Sequence, residues 1–281
     1  MKRSLLALFV MLLLSCMAKA QTTTLWFPEG HLFETIMLDP LEAQNSASLL
    51  KNSNGKLTHN GLYAPFSIGA KKAFIRWKTP NSSRMSELSL DIVAFTQFEL
   101  YQEASAMRRR MLNVDYRVGL IYAIKKENHI TRIRLYHISS HLGDDYMISR
   151  GITSFFDNKV NYEQVDILHA IQQGSIRYYG GIGVGLRPFG ERKPLSLQGG
   201  IFFKDHKATS KNIRMIAGLD MKLFQQTDFV PNLKMAWGYE FGNITNAISI
   251  VLEGYTGKLP YSPLEQENIT WGGLGMYFKP F

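Results

Sequence analysis

The sequence has one cysteine, Cys16, close to its N-terminus. A disulfide framework is therefore excluded, and removal of that first stretch would also exclude thiolate chemistry and zinc–cysteine sites. There is no Pro- or Ser-rich linker, no low-complexity tract and no copied repeat, so nothing divides the chain into domains. Beyond Leu14 no apolar run is long enough for a membrane-spanning helix. Positive charge is not clustered apart from Arg108-Arg109-Arg110, so nucleic acid is not an expected partner. That triplet is expected in a solvated loop, or as a clamp for lipid phosphates.

Residues 1–20 have the pattern of an export signal. Lys2 and Arg3 precede an apolar run from Leu5 to Leu14, and Ala18-Lys19-Ala20 predicts cleavage before Gln21. A rival reading takes Leu13-Leu14-Ser15-Cys16 as a loose lipobox with Cys16 lipidated. Cleavage after Ala20 removes three cations, Lys2, Arg3 and Lys19, and lowers the formal net charge from +9 to +6. Residues 21–281 are then expected to form one domain with a short irregular start.

What the chain does have is alternation of period two from residue 88 onward. Leu112, Val114, Tyr116, Val118, Leu120, Tyr122 and Ile124 alternate with residues that include Asn113, Asp115, Arg117 and Gly119. Leu233 to Phe241 and Ile213 to Met221 repeat the pattern. Similar segments fall at 88–101, 131–142, 161–171, 176–187, 195–204, 247–255 and 269–280, with further strands near 46–51 and 66–77. Residues 21–45 show no such pattern. Strands of about ten residues suit a tilted bilayer crossing. Charges of both signs share their face with many glycines, as a crowded polar lumen requires, while aromatic residues mark the other face. The fold class expected is all-β: an antiparallel transmembrane β-barrel of 12 strands, with ten as the alternative. A soluble sandwich, apolar face inward, is the competing architecture.

The chain resembles outer-membrane barrels in ending on Phe281 at the tip of its last strand, although Lys279 interrupts the apolar alternation there. That resemblance implies a Gram-negative outer membrane and insertion by the barrel-assembly machinery. Loop lengths fit: links at 126–129, 172–175 and 243–245 are short, whereas 143–159 and 256–267 are long, as periplasmic turns and outer loops are. The link at 205–211 is only moderately short.

The run Arg132 to Met147 carries the candidate site. Alternation sends Ile133, Leu135, His137, Ser139 and His141 to the lipid face, and Arg132, Arg134 and Tyr136 to the lumen. A polar cluster facing lipid is costly and calls for a reason. A histidine two residues from a serine can take its proton and make the hydroxyl a nucleophile toward an ester. A third group must orient the imidazole. If the hairpin is symmetric about residue 150, Glu163 lies opposite His137 and Asn161 opposite Ser139, and either can serve.

His137-Ile138-Ser139 resembles the His-x-Ser of the outer-membrane phospholipase A and lipid A 3-O-deacylase families. The resemblance implies a lipid-facing His-Ser pair completed by Asn or Glu, acting on phospholipid or lipid A. The phospholipase family continues with Asn-Gly where this chain has Ser140-His141. Over most of its length the chain resembles an uncharacterised bacterial barrel family with a Ser-Ser-His-Leu-Gly-Asp-Glu run, here Ser139 to Asp145, which implies no activity.

Plainer readings stand beside these. His137 can be a rim histidine at headgroup level, and Ser140 and His141 a strand cap. Leu142-Gly143-Asp144-Asp145 reads as a turn with Gly143 at positive φ, or as a Ca²⁺ site through the paired carboxylates of Asp144 and Asp145. Gly181, Gly183 and Gly185 read as room for large lumen side chains rather than a phosphate loop. His169 is expected at the interface, and Asp205 and His206 in a turn. Asp91, Glu99, Asp115, Arg117, Arg132, Arg134, Asp220 and Glu240 are expected to pair with one another in the lumen. Two functions follow: a lipid-ester hydrolase with Ser139, His137 and Glu163 or Asn161, or a non-catalytic barrel with a structural, binding or narrow-pore role.

Overall fold

The computed structural model describes residues 22–53, 61–80, 82–153, 160–188, 192–205, 212–243 and 246–279. The expected export signal, Cys16, His206 and Phe281 lie outside these residues. The described strands are β1 Thr23–Trp26, β2 Asn45–Asn52, β3 Leu62–Lys78, β4 Arg84–Glu103, β5 Ala106–Lys126, β6 His129–Leu142, β7 Val160–Gln173, β8 Ile176–Gly185, β9 Leu195–Lys204, β10 Ile213–Phe224, β11 Asn232–Gly242, β12 Ala247–Lys258 and β13 Asn268–Lys279. A short helix, α1, covers Asp144–Arg150.

Strands β2 to β13 pair antiparallel with their neighbours in sequence, and β13 returns to β2, so twelve strands close into a barrel. Closure leaves no unpaired edge, which is what permits strands to sit in hydrocarbon. β1 adds to the end of β3, Thr23 opposite Lys78 and Trp26 opposite Ile75. No described helix is long and apolar enough to cross a membrane.

The faces sort as a membrane barrel requires. Arg132 and Arg134 are 0% and 1% exposed, whereas Leu252 and Leu274 are 56% and 57% exposed. A soluble sandwich would show the reverse. Leu112 departs from its expected side. It sits at an irregularity where Gln97 pairs with Asn113 and Phe98 with Met111, and it turns inward, fully buried. A bulge inserts one residue and breaks the period of two. β4 and β5 run past the expected link at 102–111 and meet in a tight turn, so Arg108, Arg109 and Arg110 lie on a strand rather than in a loop.

The lumen is filled rather than open. The segment 28–44, featureless in sequence, enters the barrel and buries Phe33, Ile36, Leu38 and Leu41. Wall side chains hold its backbone: Lys71 Nζ donates to the Phe33 carbonyl at 2.7 Å, and Arg177 to those of Glu34 and Thr35 at 3.1 Å each. Its two buried acids meet wall cations. Glu42 lies 2.6 Å from Arg132 and 3.1 Å from Arg134, and Asp39 lies 2.6 Å from Lys222. Burial opposes ionisation of both carboxyls, but the adjacent cations prevail and hold both below the usual carboxylate range.

The expected pairing of lumen charges with one another is thus only partly met. Arg117 does pair with Asp91, at 2.7 Å. Arg132 instead takes Glu42, Arg134 takes Glu42 and Asp166, and Glu240 takes Lys204, Arg214 and Lys279. The expectation omitted the internal segment, which supplies part of the counter-charge. At the long-loop end an apolar cluster that includes Leu41, Tyr261, Leu264 and Trp271 closes the interior. Of the inward glycines, Gly183 makes room for side chains as expected, since a Cβ there would come within 2.3 Å of the Gln164 amide and 2.4 Å of Ser196 Oγ, whereas a Cβ at Gly181 would meet the Ile167 backbone and one at Gly185 only ordinary contacts.

Candidate functional site

β6 and β7 form one hairpin of the wall, and alternation fixes what each strand presents outside. At the long-loop end β6 turns Tyr136, Ile138 and Ser140 inward, all buried. His137, Ser139 and His141 face outward. The register pairs His137 with Glu163 and Ser139 with Asn161, as a symmetric hairpin predicts. On the other side of β6, Val118 stands opposite His137 and Tyr116 opposite Ser139, both exposed. The polar cluster therefore lies beside apolar wall, not apart from it.

The cluster has two parts. In the first, His137 Nδ1 is 3.0 Å from Glu163 Oε1. Arg187 shares that carboxylate: its Nη2 donates to Oε1 at 3.2 Å and its Nε lies 3.0 Å from Oε2. In the second, Ser139 Oγ is 3.5 Å from His141 Nε2, a long contact. Ser139 and His137 are not hydrogen-bonded to each other. Asn161, opposite Ser139, is exposed. The His137 and Glu163 side chains are 41% and 37% exposed, so both are open to whatever surrounds the barrel.

The inner face of β6 explains how the outer one is held. Ser140 donates to Asp115, Asn113 donates to Asp115 at 2.8 Å, and Gln97 bonds Asn113 in turn, with Tyr63 donating to Gln97. These groups are fully buried. A satisfied buried network of this kind limits movement of the strand on which His137 and Ser139 sit.

Chemically, the first part has the arrangement in which a carboxylate orients an imidazole base. A carboxylate on Nδ1 fixes the tautomer and leaves Nε2 as the basic atom. Ser139 is the adjacent outward residue, and rotation about its Cα–Cβ bond carries the hydroxyl from the His141 side toward the His137 side. Arg187 and the Ser139–His141 contact were missed from sequence. The latter was within reach, since residues 139 and 141 share a face; Arg187 was not, because alternation over 176–187 puts it on the lumen face with Gly181, Gly183 and Gly185, whereas β8 ends at Gly185 and frees it from that period.

Asp144 and Asp145 do not form a turn. They open α1, where two acids suit the helix N-terminus, and Gly151 closes it at φ 63°. Gly143 has φ −71°, so positive φ is not why glycine stands there. A Cβ at that position would meet the Met111 carbonyl oxygen at 2.2 Å; close approach to β5 is the reason. Ca²⁺ takes six to eight oxygens. Among the described residues no third acidic or histidine side chain joins these two, so the donor set does not fit such an ion, and no chemical step is assigned to one.

Residues 11–279 match the family described as protein of unknown function (DUF1207). The chain belongs to that family. No curated protein matches it. Among solved structures, this DUF1207 member is similar to an active-site mutant of outer membrane phospholipase A from Escherichia coli. The two are 10% identical, with 89% of this chain and 94% of that one covered and a TM-score of 0.57. It is likewise similar to the Salmonella typhi outer membrane phospholipase dimer with bound calcium, at 9% identity, 84% and 90% coverage and a TM-score of 0.56. At such identities the likeness is one of fold: an outer-membrane β-barrel.

Proposed function

We propose that this protein is an outer-membrane lipid-ester hydrolase whose site lies on the lipid-facing wall of β6 and β7. The observation that carries the reading is the Glu163–His137 pair beside Ser139, on an exterior surface flanked by Tyr116 and Val118. A polar pair facing hydrocarbon is costly and calls for a reason. The barrel shared with outer membrane phospholipases is consistent with this role and does not establish it.

The long-loop end is assigned to the outer leaflet and the short-turn end, with the chain's start, to the periplasm. An acyl chain approaches along the apolar wall without leaving the membrane. Ser139 Oγ attacks the ester carbonyl carbon as His137 Nε2 accepts its proton, and Glu163 stabilises the imidazolium. Collapse breaks the ester C–O bond, and His137 returns the proton to the departing alcohol oxygen. Water then attacks the acyl-serine by the same exchange, releasing a fatty acid and restoring Ser139. Arg187 holds Glu163 through both carboxylate oxygens, sharing Oε1 with His137.

The second reading is a non-catalytic barrel, favoured by the bond Ser139 makes with His141 rather than His137. Its narrow-pore form is opposed by the lumen, which the segment 28–44 fills. The test is release of fatty acid from phospholipid or lipid A in mixed micelles. The hydrolase reading expects release by the wild type and none by Ser139→Ala, with heat-modifiable barrel mobility unchanged. Equal release by both proteins removes Ser139 from the mechanism. No release by either leaves the non-catalytic barrel.

A further inference from the structure

The short-turn end of the β6–β7 hairpin carries a second polar group on the exterior wall. Thr131 lies directly opposite His169, and His129 opposite Ile171, so the two histidines are diagonal neighbours on one face. His129 Nδ1 is 3.2 Å from His169 Nε2, and the ring centroids are 5.4 Å apart. The other nitrogen of His169, Nδ1, is 2.9 Å from Thr131 Oγ1. Both rings are exposed.

Two ring nitrogens thus face a single point, and one proton at most fits between them. If Nδ1–H of His169 donates to the Thr131 hydroxyl, the Nε2 lone pair is turned toward His129. A hydrogen bond on the far nitrogen fixes the tautomer in the same way at metal-binding histidines. A tetrahedral dication bonded to two imidazole nitrogens at about 2.0–2.1 Å sets those nitrogens about 3.3 Å apart. The observed spacing matches that edge. No carboxylate or third histidine joins the pair among the described residues, so the donor set is nitrogen alone. Imidazole donors suit zinc and copper, whereas calcium and magnesium take oxygen.

We infer that His129 and His169, oriented by Thr131, form a binding site for a transition-metal dication of the zinc or copper type on the barrel wall. Binding displaces the proton between the rings: His129 shifts to the tautomer protonated at Nε2, the ion takes both lone pairs, and water completes the coordination shell. The inference rests on the hairpin register and is independent of the hydrolase reading.

Cu²⁺ is the probe, followed by electron paramagnetic resonance on purified, tag-free protein in detergent micelles, with Zn²⁺ as competitor. One equivalent of Cu²⁺ bound by two imidazole nitrogens is expected in the wild type. His169→Ala should reduce the signal to one nitrogen and weaken binding at least about tenfold. Thr131→Val should keep both nitrogens and weaken binding by about tenfold, as loss of an outer-shell partner does. A wild-type spectrum with one nitrogen, or unchanged affinity in His169→Ala, overturns the site and leaves a plain N–H···N hydrogen bond between the rings. The wild-type spectrum decides this even if a variant fails to fold.

Discussion

One hairpin carries two polar clusters on its exterior wall, at opposite ends, and a carboxylate belongs to the first and not to the second. At the long-loop end His137 has a carboxylate, Glu163, and a hydroxyl, Ser139, beside it on the same face. At the short-turn end His129 and His169 have a hydroxyl, Thr131, and each other. A carboxylate on one ring nitrogen makes the other nitrogen a stronger base and steadies the charge it acquires. Two rings facing each other make a ligand pair instead. The same side chain at opposite ends of one hairpin is thereby suited to different chemistry by its neighbour.

The sharpest way to break the contrast is at the long-loop end. Ser139→Ala should lower lipid-ester hydrolysis by on the order of 10³-fold or more, since removal of a nucleophile leaves only the contribution of binding. Glu163→Gln should lower it by on the order of 10²-fold or more by releasing His137 from its orienting charge. Steady-state assays of both, with barrel mobility as the folding control, measure these effects. If Glu163→Gln matches the wild type, the carboxylate is no orienter and the two ends are alike.

The interior sharpens the comparison, because there a carboxylate is structural. Glu42→Gln leaves Arg132 and Arg134 buried with less counter-charge. It should destabilise the barrel by about 3–5 kcal/mol, as loss of one partner of a buried pair does, measured by urea unfolding in micelles. Acid should act in the same direction. The Glu42 and Asp39 carboxyls titrate below their ordinary range in the folded protein. Their contribution is therefore fully present above the unfolded value, about 4, and is lost as pH falls through the lowered folded values. Protease access to the segment 28–44 should stay flat from neutral pH down to about 4 and rise below it. The smallest effect expected is from His141→Ala, a change of severalfold in hydrolysis, because His141 touches Ser139 by one long contact and has no carboxylate.

What could be read in the sequence follows from what alternation reports. Period two identifies a strand and its faces, so the ten barrel strands from β4 onward and the outward side of His137, Ser139 and Glu163 were legible, whereas β2 and β3 showed a weaker pattern. It fails where the backbone leaves the period, as at Leu112, where a bulge turns an apparent lipid-facing leucine inward. It is silent on the segment 28–44, whose place is set by wall arginines and lysines distant in sequence. Residue type at Asp144-Asp145 gave two acids but not their helix, since turn and helix N-terminus favour the same residues. Rotamers were out of reach altogether: Ser139 can face either His137 or His141 with no change in sequence or strand.

Whether Ser139 is an activated nucleophile can be tested without knowing the lipid. Wild-type protein in micelles would be treated with an alkyl fluorophosphonate, and the adduct located by peptide mass spectrometry. A single covalent adduct on Ser139, lost in His137→Ala and kept in His141→Ala, is the predicted result. An unlabelled Ser139, or one labelled equally without His137, would contradict it.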